Sequence, residues 1–181
     1  LGTPIKFIDV ARSSRGYFRK NDLSTFEHSW KAEITSVHRL TDLENLYRIR
    51  IIDEEERKRF VFQPGQFQML ELPGIGEAPF GISSPPSSHG DVELCIRRVG
   101  NLTNFLAKAA RGVRVGIRGP FGTAFPVEEM HGQNMVLIAG GLGLAPLRSP
   151  IAYVQENRNL FEKVDIVYGA KEAAQLLFTF Q

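Results

Sequence analysis

The feature that most constrains the fold is an apolar run that passes directly into a cluster of glycines. Met135–Ala139 is apolar throughout, which is typical of a parallel strand buried on both faces. Gly140-Gly141-Leu142-Gly143 follows at once, Leu144–Arg158 then has apolar residues at helical spacing, and Val164–Tyr168 is a second apolar run. This order of strand, glycine turn, helix and strand predicts the opening of a nucleotide-binding α/β domain. We expect that domain to be truncated, because two strands are too few to cover their helices.

The glycine cluster has two interpretations. A phosphate group is bound by backbone N–H groups at the positive end of a helix, which requires a sharp turn without Cβ atoms in the way. Pro146 fits the first helical turn, where its missing N–H leaves no bond unmade. The order differs from G-x-G-x-x-G, however, and a tight connection without a ligand explains the same residues, so that spacing alone favours neither. Pro150 is expected to kink the helix, so that either the helix restarts there or the segment is locally strained.

Upstream of this unit, the chain consists of short apolar segments separated by turn residues such as Pro64-Gly65 and Pro73-Gly74. The predicted strands are Trp30–Leu40, Leu46–Ile52, Phe60–Phe62, Phe67–Leu72, Val92–Val99 and Val113–Arg118, with a predicted helix at Thr103–Ala110. Short strands with one helix favour an antiparallel β-barrel, which we assign to residues 30–126. Residues 1–29 are expected to form an arm or leader, and residues 132–181 the α/β domain.

Two segments of the barrel region have residues that suit ligand binding. Gly100-Asn101-Leu102-Thr103 follows a strand with Arg97 and Arg98, which together offer backbone access, a hydroxyl group and positive charge to a pyrophosphate. A helix cap beside a solvated arginine pair explains the same residues, and by itself the pattern favours the cap. Ala78-Pro79-Phe80-Gly81-Ile82-Ser83-Ser84 suits either a planar ring ligand beside Phe80 or a buried aromatic at a turn.

Composition and missing motifs exclude several classes of function. The formal net charge of +2 gives no reason to expect a nucleic-acid partner. A single cysteine, Cys95, and four scattered histidines leave no disulfide framework and no metal site to expect. No apolar run reaches the roughly 18 residues of a membrane span, and no hydrolase motif is present. The expected location is the cytoplasm.

Eight motifs occur in order between residues 30 and 178. They are Phe62-Gln63-Pro64-Gly65-Gln66-Phe67, Gly76-Glu77-Ala78-Pro79-Phe80-Gly81-Ile82-Ser83-Ser84, Glu93-Leu94 with Ile96-Arg97-Arg98-Val99-Gly100, Thr103-Asn104, Arg118-Gly119-Pro120-Phe121-Gly122, Phe125-Pro126, Ala139-Gly140-Gly141-Leu142-Gly143-Leu144-Ala145-Pro146-Leu147-Arg148 and Tyr168-Gly169-Ala170. Together they resemble the ferredoxin–NADP reductase superfamily, whose members pair a flavin-binding barrel with a nicotinamide-binding α/β domain. Within it, the sequence is similar to the gamma subunits of cytosolic hydrogenase and sulfur reductase (sulfhydrogenase) complexes.

The resemblance implies a flavoprotein subunit that passes reducing equivalents between NAD(P)H and FAD, and on to the iron–sulfur and hydrogenase or reductase subunits of a complex. The residues implied at the flavin ring are Phe80, Gly81, Ile82 and Ser83. Those implied at the flavin phosphates are Arg97, Arg98, Val99, Gly100, Leu102 and Thr103. Those implied at NAD(P) are Gly140, Gly141, Gly143, Ala145, Pro146, Tyr168 and Gly169. Hydride transfer between two rings needs no side-chain acid or base, so no catalytic residue is assigned.

The sequence departs from the family pattern at several places. Gly81 stands where a serine usually bonds flavin N5, and Ala78 stands where an arginine often grips the pyrophosphate. Lys171 stands where an arginine is frequent, which leaves NAD versus NADP open. The cysteines of the family's [2Fe–2S] centre are absent from the sequence. A partner-docking scaffold or inactive fragment is therefore the alternative, ahead of a barrel for single-stranded nucleic acid, which wants a basic groove.

Overall fold

The computed structural model describes residues 29–86 and 90–179. Its strands are β1 (Trp30–Arg39), β2 (Glu44–Ile51), β3 (Phe67–Leu72), β4 (Gly76–Gly81), β5 (Asp91–Arg97), β6 (Arg114–Phe121), β7 (Met135–Gly140) and β8 (Val164–Gly169). Its α-helices are α1 (Glu54–Arg59), α2 (Asn101–Leu106) and α3 (Leu144–Glu156), with 3-10 turns at Glu128–Met130, Gly141–Gly143, Arg158–Leu160 and Ala173–Gln175. The predicted arm over residues 1–29 lies outside the described residues except for Ser29.

The first six strands form an antiparallel sheet in the order β4-β3-β6-β1-β2-β5. Side chains alternate between its two faces, as the pleat requires. In β2, for example, Tyr47 and Ile49 point into the core and are fully buried, whereas Arg48 lies on the opposite face. The main core lies inside this sheet and includes Ile34, Leu70, Ile82, Leu94 and Ile117.

The edges of this sheet are β4 and β5, which approach each other without forming a ladder. One backbone hydrogen bond, from the Ser83 N–H to the Glu93 carbonyl (2.8 Å), joins them just beyond the end of β4. The predicted antiparallel arrangement of these strands is confirmed. Closure of the predicted barrel and its end at residue 126 stay predictions.

Two predictions about local structure are wrong. Phe60–Phe62 is not a strand: both aromatic side chains are buried, and Trp30 meets Phe60 edge to face at 6.1 Å. This segment is therefore held by side-chain packing rather than by ladder hydrogen bonds. The helix predicted at Thr103–Ala110 is α2, which begins earlier, because the Thr103 hydroxyl accepts the backbone N–H of Gly100 (2.8 Å), and ends earlier, at Leu106.

The second sheet contains only β7 and β8 within the described residues, and these two strands are parallel. Helix α3 covers one face through a small cluster of Met135, Val154 and Phe161. The other face exposes Val136 (42%) and Ile138 (71%), so the prediction that Met135–Ala139 is buried on both faces is wrong. The cause is that the described residues supply a helix to one side only. Helix α3 also runs unbroken through the buried Pro150, which rules out a restart of the helix there, one of the two alternatives for this residue.

A third apolar cluster joins the two sheets. Leu46 of β2 and Cys95 of β5 lie on the outer face of the first sheet, where they pack against Leu144 and Ala145 of α3 and against Leu177 near the end of the chain. We call these five residues the interface cluster. It places the beginning of α3 directly over the first sheet.

The core assignment predicts different effects for two isoleucines that lie on strands. Replacing fully buried Ile117 with alanine should lower the free energy of unfolding by about 2–5 kcal/mol, because it leaves a cavity in the main core. The matched change Ile138→Ala should alter it by no more than about 0.5 kcal/mol, because that side chain is exposed. Urea unfolding of both variants is the measurement; equal losses would contradict the packing described here.

Candidate functional site

The residues predicted at the flavin ring and at the glycine turn meet in the structure. A Cβ atom built on Gly81, the last residue of β4, lies 3.5 Å from the Cβ of Pro146 in the first turn of α3. This is an ordinary van der Waals contact. Two segments 65 positions apart in sequence therefore form one surface, at the edge of the first sheet where β4 and β5 separate.

A buried ion-pair network fixes this contact. Glu93 of β5, 7% exposed, receives a hydrogen bond from Arg148 of α3 (Nη1 to Oε2, 2.5 Å) and two from Arg48 of β2 (Nη2 to Oε1, 2.7 Å; Nε to Oε1, 3.1 Å). Arg148 also donates to the Ser83 carbonyl at 3.1 Å, and its guanidinium lies 5.1 Å from the ring centroid of Phe178. One helix side chain thus holds the end of β4, the middle of β5 and the last described turn.

The charge state of Glu93 follows from its surroundings. Burial by itself raises the pKa of this carboxyl group, but the hydrogen bonds and charges of Arg48 and Arg148 outweigh burial, so the net pKa lies below its usual value of 4.5. The carboxylate is therefore ionised at neutral pH. Both of its oxygen atoms are used, one by each arginine.

The predicted ring-side residues divide into buried and accessible groups. Phe80 is half-buried and packs against the main core, and Gly81 is exposed. Ile82 and Ser83 are fully buried, and the Ser83 hydroxyl has no hydrogen-bond partner among the described residues. Gln68, opposite Phe80 in the β3–β4 register, is likewise fully buried with both side-chain amide atoms unpartnered in that part of the chain.

The predicted phosphate-side residues lie at the end of β5 and the start of α2. Arg97 pairs with the buried carboxylate of Glu44, so its charge is already balanced within the protein. Arg98 and Val99 are exposed; the Arg98 backbone N–H donates to the Leu43 carbonyl at 2.9 Å.

The side chains of α2 are used within the protein. Thr103 is 8% exposed; its hydroxyl accepts from the N–H groups of Val99 (2.9 Å) and Gly100 (2.8 Å) and donates to the Gly100 carbonyl (3.0 Å). The N-cap is thus Gly100 rather than the Thr or Asn of the simpler interpretation, and Thr103, at the third helical position, bonds back to the Gly100 N–H. Leu102 is buried in the main core, where its side chain serves packing.

The glycines at the ends of β7 and β8 leave open space. A Cβ built on Gly140, Gly141, Gly143 or Gly169 meets no atom within 4 Å. Only Gly141, with φ +51°, has a backbone conformation that itself favours glycine. Packing within the protein does not explain why glycine occupies the other three positions, whereas a ligand that approaches the backbone closely would explain it.

Ala145 and Tyr168, which are also predicted at NAD(P), make contacts within the protein that stabilise the glycine turn. Ala145 belongs to the interface cluster. The Tyr168 hydroxyl donates to the Gly141 carbonyl (3.2 Å) and accepts the Leu177 N–H (3.1 Å). Tyr168 thus ties the glycine turn to the final segment of the described chain.

Sequence reasoning missed the ion-pair network, although its signal was present. Glu93 is a single acidic residue between apolar neighbours of a buried strand, and a buried carboxylate needs a cationic partner. The sequence does not say which of its many arginines provides one. Arg148 is the last residue of the motif that begins at Ala139, and the motif predicts no role for it. Arg48 has the alternating position of an outward-facing strand residue.

Three further observations concern residues 29–86 and 90–179. These residues contain no group of three His, Cys, Asp or Glu side chains placed to hold a metal ion. No helix among them is long and apolar enough to cross a membrane. Cys95 is buried, and burial raises the pKa of its thiol to about 12, so it is not a reactive nucleophile.

Comparison with known proteins connects this geometry to oxidoreductases. Residues 137–180 match the family described as the oxidoreductase NAD-binding domain. The sulfhydrogenase 2 gamma subunit of Pyrococcus furiosus is 43% identical over 150 residues, which are 83% of this chain and 51% of that protein. A probable electron transfer subunit of dihydroorotate dehydrogenase B (NAD(+)) from Methanocaldococcus jannaschii is 39% identical over 67% of this chain and 42% of its own length. The chain thus spans about half the length of the curated relatives it matches.

Among solved structures, a ferredoxin NADP+ reductase from Neisseria gonorrhoeae, determined with bound FAD and NADP, superposes with a TM-score of 0.68. The match covers 82% of this chain and 60% of that protein at 21% identity. At this identity the likeness establishes the fold.

The ion-pair network predicts an acid-dependent loss of stability. The folded-state pKa of Glu93 is depressed, so its stabilising effect is complete above 4.5 and is lost as the pH falls through the folded-state value. Glu93→Gln should lower the free energy of unfolding by on the order of 3 kcal/mol at pH 7, with the gap to the wild type closing below pH 4.5. Urea unfolding at several pH values measures this, with exposed Glu162→Gln as control. A gap that stays constant into the acid range would contradict the assignment.

Proposed function

The chain belongs to the ferredoxin–NADP reductase superfamily, and from that premise we propose that it is a flavoprotein electron-transfer subunit. It passes reducing equivalents between NAD(P)H and FAD and on to iron–sulfur partners. The observation that carries this proposal is the contact between Gly81 at the end of β4 and Pro146 at the start of α3. Hydride transfer requires the two reacting rings to touch, and this contact brings the candidate flavin-ring residues next to the turn proposed for the dinucleotide.

Several features support FAD as the ligand of the first sheet. Half-buried Phe80 near the end of β4 and exposed Val99 just after β5 are both suited to contact with a flat apolar ring. Exposed Arg98 offers a positive charge to the phosphates, and the backbone around Gly100 is open, since a Cβ there would meet nothing.

NAD(P) is the proposed ligand of the glycine turn. The open space at Gly140, Gly143 and Gly169 lets a pyrophosphate approach the backbone, and α3, 13 residues long, places the positive end of a helix dipole beside it. NAD and NADP are not distinguished by these residues.

The chemistry belongs to the cofactors, and the protein binds and orients them. When bound, FAD supplies the acceptor for a hydride from the nicotinamide and releases the electrons onward. The chain's own residues hold the two rings against each other, and the interface cluster excludes water behind them. No side chain is assigned a proton-transfer role.

The partners of the proposed subunit are those its relatives suggest. The name of the Pyrococcus relative points to a sulfhydrogenase complex, and that of the Methanocaldococcus relative to a dihydroorotate dehydrogenase complex. We favour a hydrogenase or sulfur reductase complex, because the identity is higher and covers more of the chain. Any [2Fe–2S] centre is assigned to residues other than these, since the sequence has one cysteine. The cytoplasmic location and the domain boundaries stay predictions.

A scaffold without redox activity is the second candidate. The observation that favours it is Gly81, which has no hydroxyl group at the position where the family usually has a serine. Such a scaffold would dock partners through the same fold and would leave bound flavin oxidised in the presence of NADH.

The first test of the proposal concerns FAD binding. We expect the purified chain to retain FAD after reconstitution and desalting, and we expect Arg98→Ala to weaken FAD affinity about tenfold, because a charge-assisted hydrogen bond to phosphate is lost. Arg111→Ala, which removes another exposed arginine outside the candidate site, is the matched control. Titration of flavin fluorescence measures both; equal affinity in the wild type and Arg98→Ala would contradict the assigned phosphate side.

The second test concerns the glycine turn. Gly143 has helical backbone angles (φ −60°, ψ −16°) and open space around it, so Gly143→Val should fold and still bind FAD. Its side chain would occupy the approach to the turn, and NADH should reduce the bound flavin at least about tenfold more slowly. Ala152→Val, on the same helix, is the control. Flavin reduction by NADH in Gly143→Val at the wild-type rate would show that the turn does not bind the dinucleotide.

A further inference from the structure

Arg148 is the side chain by which α3 grips both edges of the first sheet. Its Nη1 atom donates to the Ser83 carbonyl beyond the end of β4 and to the Glu93 carboxylate on β5. Because β4 and β5 are the two edge strands of the sheet, this one guanidinium links both edges to α3. Arg148 lies two residues beyond Pro146, whose Cβ is 3.5 Å from a Cβ built on Gly81.

We propose that Arg148 is a positioning residue, which holds the glycine turn in register with the end of β4 so that the dinucleotide site and the flavin-ring site stay aligned. The inference rests on the function proposed above and adds to it a residue that contacts neither ring. Arg148 acts through Ser83, Glu93 and the backbone of α3.

The interface cluster alone cannot set this register. Apolar contact is non-directional, and Leu46, Cys95, Leu144, Ala145 and Leu177 would remain buried after a small slide of the helix along the sheet. The contacts of Arg148 are directional, because one planar guanidinium must meet a carbonyl and a carboxylate at fixed distances. A displacement of about 1 Å between reacting groups is enough to reduce a rate by roughly a hundredfold.

Arg48 provides a matched control within the same network. It binds the other oxygen of the same Glu93 carboxylate, with bonds of 2.7 and 3.1 Å, but it lies on β2, beside β5 in the same sheet. Arg48→Met and Arg148→Met therefore each remove one arginine from Glu93. Only Arg148→Met breaks a link between α3 and the sheet.

A cross-link measures the register without any cofactor. A Cβ atom built on Gly81 lies 3.5 Å from the Cβ of Pro146, and disulfides have Cβ separations of about 3.5–4.5 Å. The double substitution Gly81→Cys, Pro146→Cys should therefore oxidise readily in the 181-residue chain. Native Cys95 is buried with a pKa of about 12, so its thiol does not compete.

The cross-linking rate under a fixed redox buffer is compared in three backgrounds. We expect Arg148→Met to slow it by on the order of tenfold or more and Arg48→Met to leave it within about twofold of the parent. Arg148→Lys, which keeps the charge but loses the planar fork, should fall between them, and it serves as the test if Arg148→Met does not fold. Equal rates in the parent and the Arg148 variants, or equal slowing by both Met variants, would overturn the proposal.

Single-turnover reduction of FAD-loaded protein by NADH gives the second readout. Arg148→Met should slow flavin reduction at saturating NADH and leave FAD affinity unchanged, whereas Arg48→Met should change neither. If the parent protein fails to bind FAD or to react with NADH, the proposed function fails, and the cross-linking result still decides the role of Arg148. If NADH reduces the flavin of Arg148→Met at the parent rate, the positioning role is wrong and the proposed function stands.

Discussion

The buried carboxylate of Glu93 is the interaction on which the arrangement of this molecule depends. An ionised carboxylate that is 7% exposed is stable only when its charge is matched, and two arginines from two different parts of the chain provide the match. Arg48 balances the Glu93 charge from β2 in the same sheet, and Arg148 balances it from α3. Burial of this one charge therefore requires the helix to sit where it does.

From that constraint follows the geometry of the candidate site. Arg148 lies in the second turn of α3, so anchoring it places Pro146 of the first turn close to Gly81 at the end of β4. The interface cluster then seals the space behind the contact. Tyr168 adds a brace, because its hydroxyl joins the glycine turn to the segment that carries Leu177. The residues that hold the candidate site together are thus mostly different from those predicted to contact the cofactors.

Much of this architecture could be read from the sequence because its signals are local. The apolar run at Met135–Ala139 and the glycines after it predicted β7, the turn and α3, and alternation at Leu46–Ile52 predicted β2. The helix after Gly100 was predicted too, although its N-cap is Gly100 and Thr103 occupies the third helical position. What failed was what depends on neighbours: Phe60–Phe62 has strand-like composition but packs by its side chains, and Ile138 is apolar yet exposed because the described residues place nothing over it. The partnership of Glu93 with Arg148 is beyond sequence reasoning for the same reason, since only the fold selects one arginine among many.

The most direct test of the central claim, that the two cofactor surfaces meet so that hydride passes straight from nicotinamide to flavin, is an isotope experiment. FAD-loaded protein is mixed anaerobically with NADH deuterated at C4 on one or the other face, and the rate of flavin bleaching is followed. The account predicts bleaching by one equivalent of NADH, with a primary isotope effect for one face only. Flavin that binds but stays oxidised, or bleaching that is slowed equally by deuterium on either face, would contradict it.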